Sequence, residues 1–197
     1  MPFVYPDSAH VRLHGPYGYS DYQRFRPWLR DEFRFRCVYC LKREQWGLVR
    51  RQYDLDHFLP QAHSPAGVLD YDNLLYACSA CNSAKGKEIV PNACECMLHG
   101  QVFVNEDGTI EGRTTNSRRL IRMLGLDDAE YREFRRMWID VVALARGRDP
   151  DLFQRLMKYP DNLPNLATLR PVGNSRPQGV RQSCYARRQR GQLPETY

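Results

Sequence analysis

The sequence predicts an α+β protein folded around a cysteine-clasped centre. Three observations lead there. Two Cys-x-x-Cys pairs occur, Cys37-Val38-Tyr39-Cys40 and Cys78-Ser79-Ala80-Cys81; strand-like runs at 51–55 and 74–77 lie between them; helical periodicity flanks both. A chain of 197 residues suits one connected core with helical additions rather than two full-sized domains. The expected segments are an N-terminal aromatic and arginine-rich stretch with a helix (1–36), the cysteine-bearing core (37–90), a hairpin and helical extension (91–160) and a basic Pro- and Gly-rich tail (161–197).

The cysteines set the chemistry of the centre. Seven is an odd number, and the opening Met1-Pro2-Phe3-Val4 lacks the order of an export signal, so metal binding explains them better than disulfides. Each pair can offer two thiolates to one tetrahedral Zn²⁺, which makes Cys37, Cys40, Cys78 and Cys81 the expected ligands. The 37 residues between the pairs exceed the spacing of a simple zinc ribbon, so a folded unit must lie inside the loop that the metal closes. No stretch approaches the roughly 20 apolar residues needed to span a bilayer. No membrane partner is expected, and a cytoplasmic location is.

Outside the core, Pro27 suits the first turn of a helix running to Phe33, with Leu29 and Phe33 on one face; the aromatics of this stretch read as core. Asn105-Glu106-Asp107-Gly108 between Val102-Phe103-Val104 and Thr109-Ile110 predicts a hairpin. Asn116 or Ser117 is expected to cap a helix through Leu124 that stops at Gly125. Asp127 or Asp128 should cap a longer one to about Arg146, with Tyr131, Phe134, Trp138, Val141 and Ala145 on its apolar face. A third helix is expected over Asp151–Tyr159, then an extended tail. Six arginines from Arg170 onward face one acid, Glu195, so the tail holds most of the net charge of +6. It reads equally as a polyanion-binding arm and as a solvated terminus.

Inside the loop the chain reads Asp54-Leu55-Asp56-His57-Phe58-Leu59-Pro60, then Asp72-Asn73-Leu74, then Cys81-Asn82-Ser83-Ala84-Lys85-Gly86. The order Cys-x-x-Cys, Asp-His-x-x-Pro, Asp-Asn-Leu, Cys-x-x-Cys-Asn-x-x-Lys-Gly closely resembles the HNH endonucleases over about residues 37–87. The resemblance implies a ββα-metal (His-Me finger) core that hydrolyses DNA. It makes His57 the general base, Asp56 and Asn82 the ligands of a catalytic divalent cation, and Asn73 a structural residue holding the His57 loop.

The residue types agree with that chemistry. An imidazole titrating near neutral pH can take a proton from the attacking water. Two oxygen ligands suit Mg²⁺ or Mn²⁺, and Asn82, standing where the family name places a histidine, hardens the set further. Arg50, Arg51, Lys85 and Lys87 are candidates for contacts with DNA phosphates, or else solvated surface charges. Cys94-Glu95-Cys96 with His99 lacks a fourth ligand, and His10, His14, His63 and Cys184 carry no assigned role. Residues 103–126 are loosely similar to an HNH subgroup found among prokaryotic defence effectors, which implies antiviral defence and a protein partner that targets or activates cleavage. The alternative is a noncatalytic zinc-dependent subunit that binds nucleic acid or protein.

Overall fold

The computed structural model describes residues 1–47 and 52–197. In chain order the elements are β1 (Pro16–Tyr17), α1 (Arg26–Glu32), β2 (Tyr53–His57), β3 (Leu74–Cys78), α2 (Ser79–Lys85), α3 (Ala93–Cys96), β4 (Val102–Val104), β5 (Ile110–Gly112), α4 (Thr115–Met123), α5 (Ala129–Arg148), α6 (Pro150–Met157), β6 (Gly173–Asn174), α7 (Gln178–Gln182) and α8 (Cys184–Gln189). The strands pair antiparallel as β1 with β6, β2 with β3, and β4 with β5. The α+β expectation holds. No described helix is long and apolar enough to cross a membrane.

The aromatic N-terminal stretch is core. Phe25, Trp28 and Leu29 are buried completely or nearly so, and α1 opens on Arg26-Pro27, where a missing N–H costs nothing. At the β4–β5 turn Gly108 takes φ +82, the left-handed conformation a side chain resists; a Cβ there would also strike the Arg132 carbonyl at 2.2 Å. The cap of α4 is Thr114, two residues before the expected position. It forms a reciprocal capping box with Ser117, so Ser117 serves as the third helical residue instead of the cap.

Two expectations are corrected. In α5 the buried face carries Arg135, Ile139, Val142 and Ala145, while Val141 is exposed, so the face is rotated from the purely apolar one. The reason is polar. The Arg135 side chain donates to the carbonyls of Gly108 (2.7 Å) and Leu126 (2.8 Å), satisfying acceptors that turns leave open.

The C-terminal segment, expected as an extended arm, is folded back on the body. Gly173 and Asn174 pair with Tyr17 and Pro16, Arg176 bridges Asp72 at 2.8 Å, and Tyr197 stacks on Tyr159. Its anchor is α1. The Asp31 carboxylate accepts from the Cys184 backbone N–H (2.8 Å) and faces His14 Nε2 (2.8 Å). Next to it, Glu32 accepts from the backbone N–H groups of Leu13 and His14 and from the Tyr71 hydroxyl, and pairs with His10. Burial opposes ionisation of Glu32, yet the hydrogen bonds from His10 and Leu13, with the charges of His14 and Arg12, bring its pKa down to about 2.

Deleting residues 170–197 therefore removes a structural strap and leaves Asp31 short of a donor. The melting temperature of the truncated chain is expected to fall by about 10 °C or more, at roughly 2–4 °C per kcal/mol for a chain of this size. An unchanged melt by circular dichroism would mean that the segment is an accessory.

Candidate metal centre and active-site hairpin

The first cysteine pair sits in a tight knuckle. Cys37 N–H donates to the Lys42 carbonyl and Leu41 N–H to the Cys37 carbonyl, with Leu41 at φ +59. The second pair straddles a strand-to-helix junction: Cys78 ends β3 and Cys81 lies in the first turn of α2. All four thiols are buried and their sulfurs lie within 4.8 Å of one another. The Cys40–Cys78 Sγ separation is 3.7 Å. A tetrahedral ion with Zn–S bonds of about 2.3 Å requires sulfur separations of about 3.8 Å, so the cluster has the dimensions of a zinc site. The Tyr131 hydroxyl from α5 lies 3.2 Å from Cys81 Sγ, where it can donate to a thiolate and tie the helical extension to the centre.

The hairpin between the pairs is held in register from Tyr53↔Cys78 to His57↔Leu74. Just beyond it, Asn73 brackets the loop after His57. Its Oδ1 accepts from Leu59 N–H (2.8 Å), while its Nδ2 donates to the carbonyls of Leu59 (3.1 Å) and Gly67 (3.2 Å). His57 is 7% exposed, its ring edge-on to Tyr22 with centroids 4.9 Å apart. His57 Nε2 lies 3.1 Å from the Val68 carbonyl and Nδ1 lies 3.2 Å from Gln61 Nε2. A carbonyl can only accept. Nε2 therefore carries the proton in the neutral ring, and Nδ1 is left with the lone pair.

Side chains two apart on a strand share a face, and Asp54 and Asp56 both meet α2. Asn82 Nδ2 lies 3.3 Å from Asp54 Oδ2, which leaves the amide oxygen of Asn82 uncommitted in this pair. Asp56 is buried at 3% exposure, with Lys85 Nζ on one oxygen (2.8 Å) and the Tyr39 hydroxyl on the other (2.5 Å). Burial pushes the Asp56 carboxyl above its ordinary range against the opposing charge of Lys85, and burial beside Asp56 pushes the Tyr39 phenol far up. Lys85, itself 1% exposed, also donates to the His57 carbonyl (2.7 Å).

A β-hairpin, a following helix, four clustered thiols and a bracketed His57 loop thus occupy one stretch of chain, and residues 37–88 match the family model described as HNH endonuclease. This segment is an HNH domain. Its family acts on nucleic acid, with nuclease activity in general. Neither the curated proteins nor the solved structures yield a match to the chain.

Within the HNH domain the candidate residues fall into three groups. The four cysteines converge, and Asn73 makes the loop contacts expected of a structural residue. Asn82 meets Asp54, Asp56 meets Lys85 and Tyr39, and His57 meets Tyr22, Gln61 and Val68, so the three expected catalytic side chains do not bond to one another. Lys85 is corrected: it is a buried counter-ion to Asp56, not a surface contact for phosphate, because an unpaired carboxylate there would be too costly. Lys87 is exposed; Arg50 and Arg51 lie outside the described residues. Cys94, Cys96 and His99 join no metal cluster among the described residues.

Sequence reasoning passed over Asp54, Tyr39 and Gln61. Asp54 was legible, since strand parity puts it on the face of Asp56. Tyr39, the middle of a Cys-x-x-Cys knuckle, carries no sequence signal of its hydrogen bond to Asp56 17 residues away.

Two outcomes are expected. The purified chain should contain one zinc per molecule by mass spectrometry, and Cys78→Ser should lose both the metal and a cooperative melt; a folded Cys78→Ser protein with full zinc content would refute the site. Lys85→Met should destabilise by about 3–5 kcal/mol, as for removal of one partner of a buried pair. Adding Asp56→Asn should restore most of that in urea titrations, and a loss below about 0.5 kcal/mol would mean that water already screens the pair.

Proposed function

We propose that the chain is a metal-dependent endonuclease that hydrolyses phosphodiester bonds in DNA, with His57 as general base. The observation that carries this reading is the hydrogen bond from His57 Nε2 to the Val68 carbonyl. It fixes the tautomer, so Nδ1 is the nitrogen able to take a proton from water, and Asn73 holds the loop on which His57 stands. The Gln61 amide at Nδ1 is a weak neutral donor that a water molecule can replace.

Hard oxygen donors line the facing surfaces of β2 and α2, a set suited to Mg²⁺ or Mn²⁺. Family resemblance assigns the cation to Asp56 and Asn82. The geometry adds Asp54, which is half-buried beside Asn82, whereas Asp56 is closed in by Lys85 and Tyr39. These residues would hold the cation, which when bound stabilises charge on the phosphate. Lys85 opposes the effect of burial on Asp56, and Tyr39 fixes the orientation of that carboxylate.

A noncatalytic binding subunit is the second reading, favoured by one observation: the ammonium of Lys85 already sits where a cation would meet Asp56. Nicking of supercoiled plasmid separates the two. Wild-type protein should nick with added Mg²⁺ or Mn²⁺ and not with a chelator too weak to remove the zinc. His57→Ala, at unchanged zinc content, should lose about 10²-fold or more of the rate. DNA binding without nicking under any divalent cation would favour the noncatalytic reading, and a His57→Ala rate equal to wild type would move the base elsewhere.

A further inference from the structure

A cavity of about 660 Å³ lies between the N-terminal segment, the end of α1, α3 and α8, and neither His57, Asp56 nor Asn82 lines it. Its charge is unusual. Arg34, Arg36, Arg187 and Arg190 all line it, against Asp31 and Glu32. Those two carboxylates are already engaged, Asp31 by His14 and the Cys184 N–H, Glu32 by His10, Tyr71 and two backbone N–H groups. Among the described residues no ion pair involves any of the four arginines. Arg187 and Arg190 donate only to neutral acceptors, on Gln192 and Arg181.

Arg36 is the most exposed to this imbalance in energy. Its Nε is buried without a hydrogen-bond partner among the described residues, and its guanidinium lies over the Tyr197 ring, 5.6 Å from the centroid, with no carboxylate to pair it. The backbone is strained at the same place. Arg34 and Phe35, neither a glycine, take φ +50 and +57, and the fully buried Phe35 side chain anchors the turn that sets the two arginines on either side of it. Val11, exposed, and Val38, half-buried, supply an apolar wall backed by the buried Phe33 and Met97. A volume of this size falls within the range of small-molecule sites and exceeds what a bare phosphate fills.

We propose that this cavity binds a phosphate-bearing ligand of nucleotide size, its phosphate held by the four arginines and its base laid along the wall of Val11 and Val38. The inference stands whether or not the hairpin cuts DNA. The nucleotide can be free or part of a nucleic-acid strand, and the two sources separate by titration.

Zinc-loaded full-length protein is titrated calorimetrically with 5′-dAMP, adenosine, inorganic phosphate and a 12-nucleotide single strand, then again as Arg36→Gln and Arg187→Gln. For a free nucleotide, dAMP should bind at least tenfold more tightly than adenosine or phosphate, and each variant should lose tenfold or more. For a strand, only the oligonucleotide binds, with the same loss in the variants. Arg187 lies on the surface helix α8, so Arg187→Gln reports even if Arg36→Gln fails to fold. Absence of binding by both dAMP and the oligonucleotide, or affinities that Arg187→Gln leaves unchanged, would overturn the proposal.

Discussion

Four buried thiols within 4.8 Å of one another are the constraint on which the rest of the structure depends. Left without a cation, thiolates so close would repel, and their burial would be an added cost. A structural zinc ion contributes on the order of 10–16 kcal/mol in small zinc modules, as much as or more than the whole stability of an ordinary domain. The hairpin β2–β3 has only two strands, too few to be stable by themselves in water. The clasp fixes the knuckle before β2 to the junction between β3 and α2, and so fixes which face of α2 the strand meets. Tyr131 carries the same constraint outward into α5.

Around that clasp the interior holds several buried polar and charged groups, many of them paired with one another. Asp56 is paired with Lys85 and hydrogen-bonded by Tyr39 beneath the hairpin; at the end of α1, Asp31 meets His14 and Glu32 accepts from Tyr71. Buried pairs of this kind add little net stability over apolar packing, but a single unpaired member is expensive, so they select one arrangement among alternatives of similar compactness. In this chain the selected arrangement is the one that holds His57 with a defined tautomer.

The parts legible in the sequence were those with a short repeat or a short motif. The cysteine spacing gave the cluster of four thiols and the Asp-Gly turn gave β4–β5, because each rests on residues close in sequence or on a fixed ligand count, while the role of Asn73 came from the family resemblance. What failed rests on partners far along the chain. The burial of Arg135 rests on the carbonyls of Gly108, 27 residues earlier, and of Leu126. Lys85 looked like a phosphate contact or a solvated surface charge because a helical lysine after a motif has no visible partner, and its partner Asp56 is 29 residues earlier. The C-terminal segment looked extended, as a polyanion-binding arm or a solvated terminus, from its Pro, Gly and Arg content, yet Cys184 N–H meets Asp31 across 153 residues. Composition reports what a segment can bury by itself, not what another segment presents to it.

The pairing of β1 with β6 has a consequence for how the protein is made. Residues 14–17 and α1 need partners at 173–184, which are synthesised long after them. Until then His14 and Asp31 must remain in water, together with the apolar surface of α1, for the seconds that synthesis of the intervening chain takes. Contacts of such sequence separation slow folding, because the loop they close must be ordered first. The four cysteines are all in place by residue 81 and can gather before residues 173–184 are made. Assembly thus proceeds outward from the centre, and the strap closes over a nucleus that is already set.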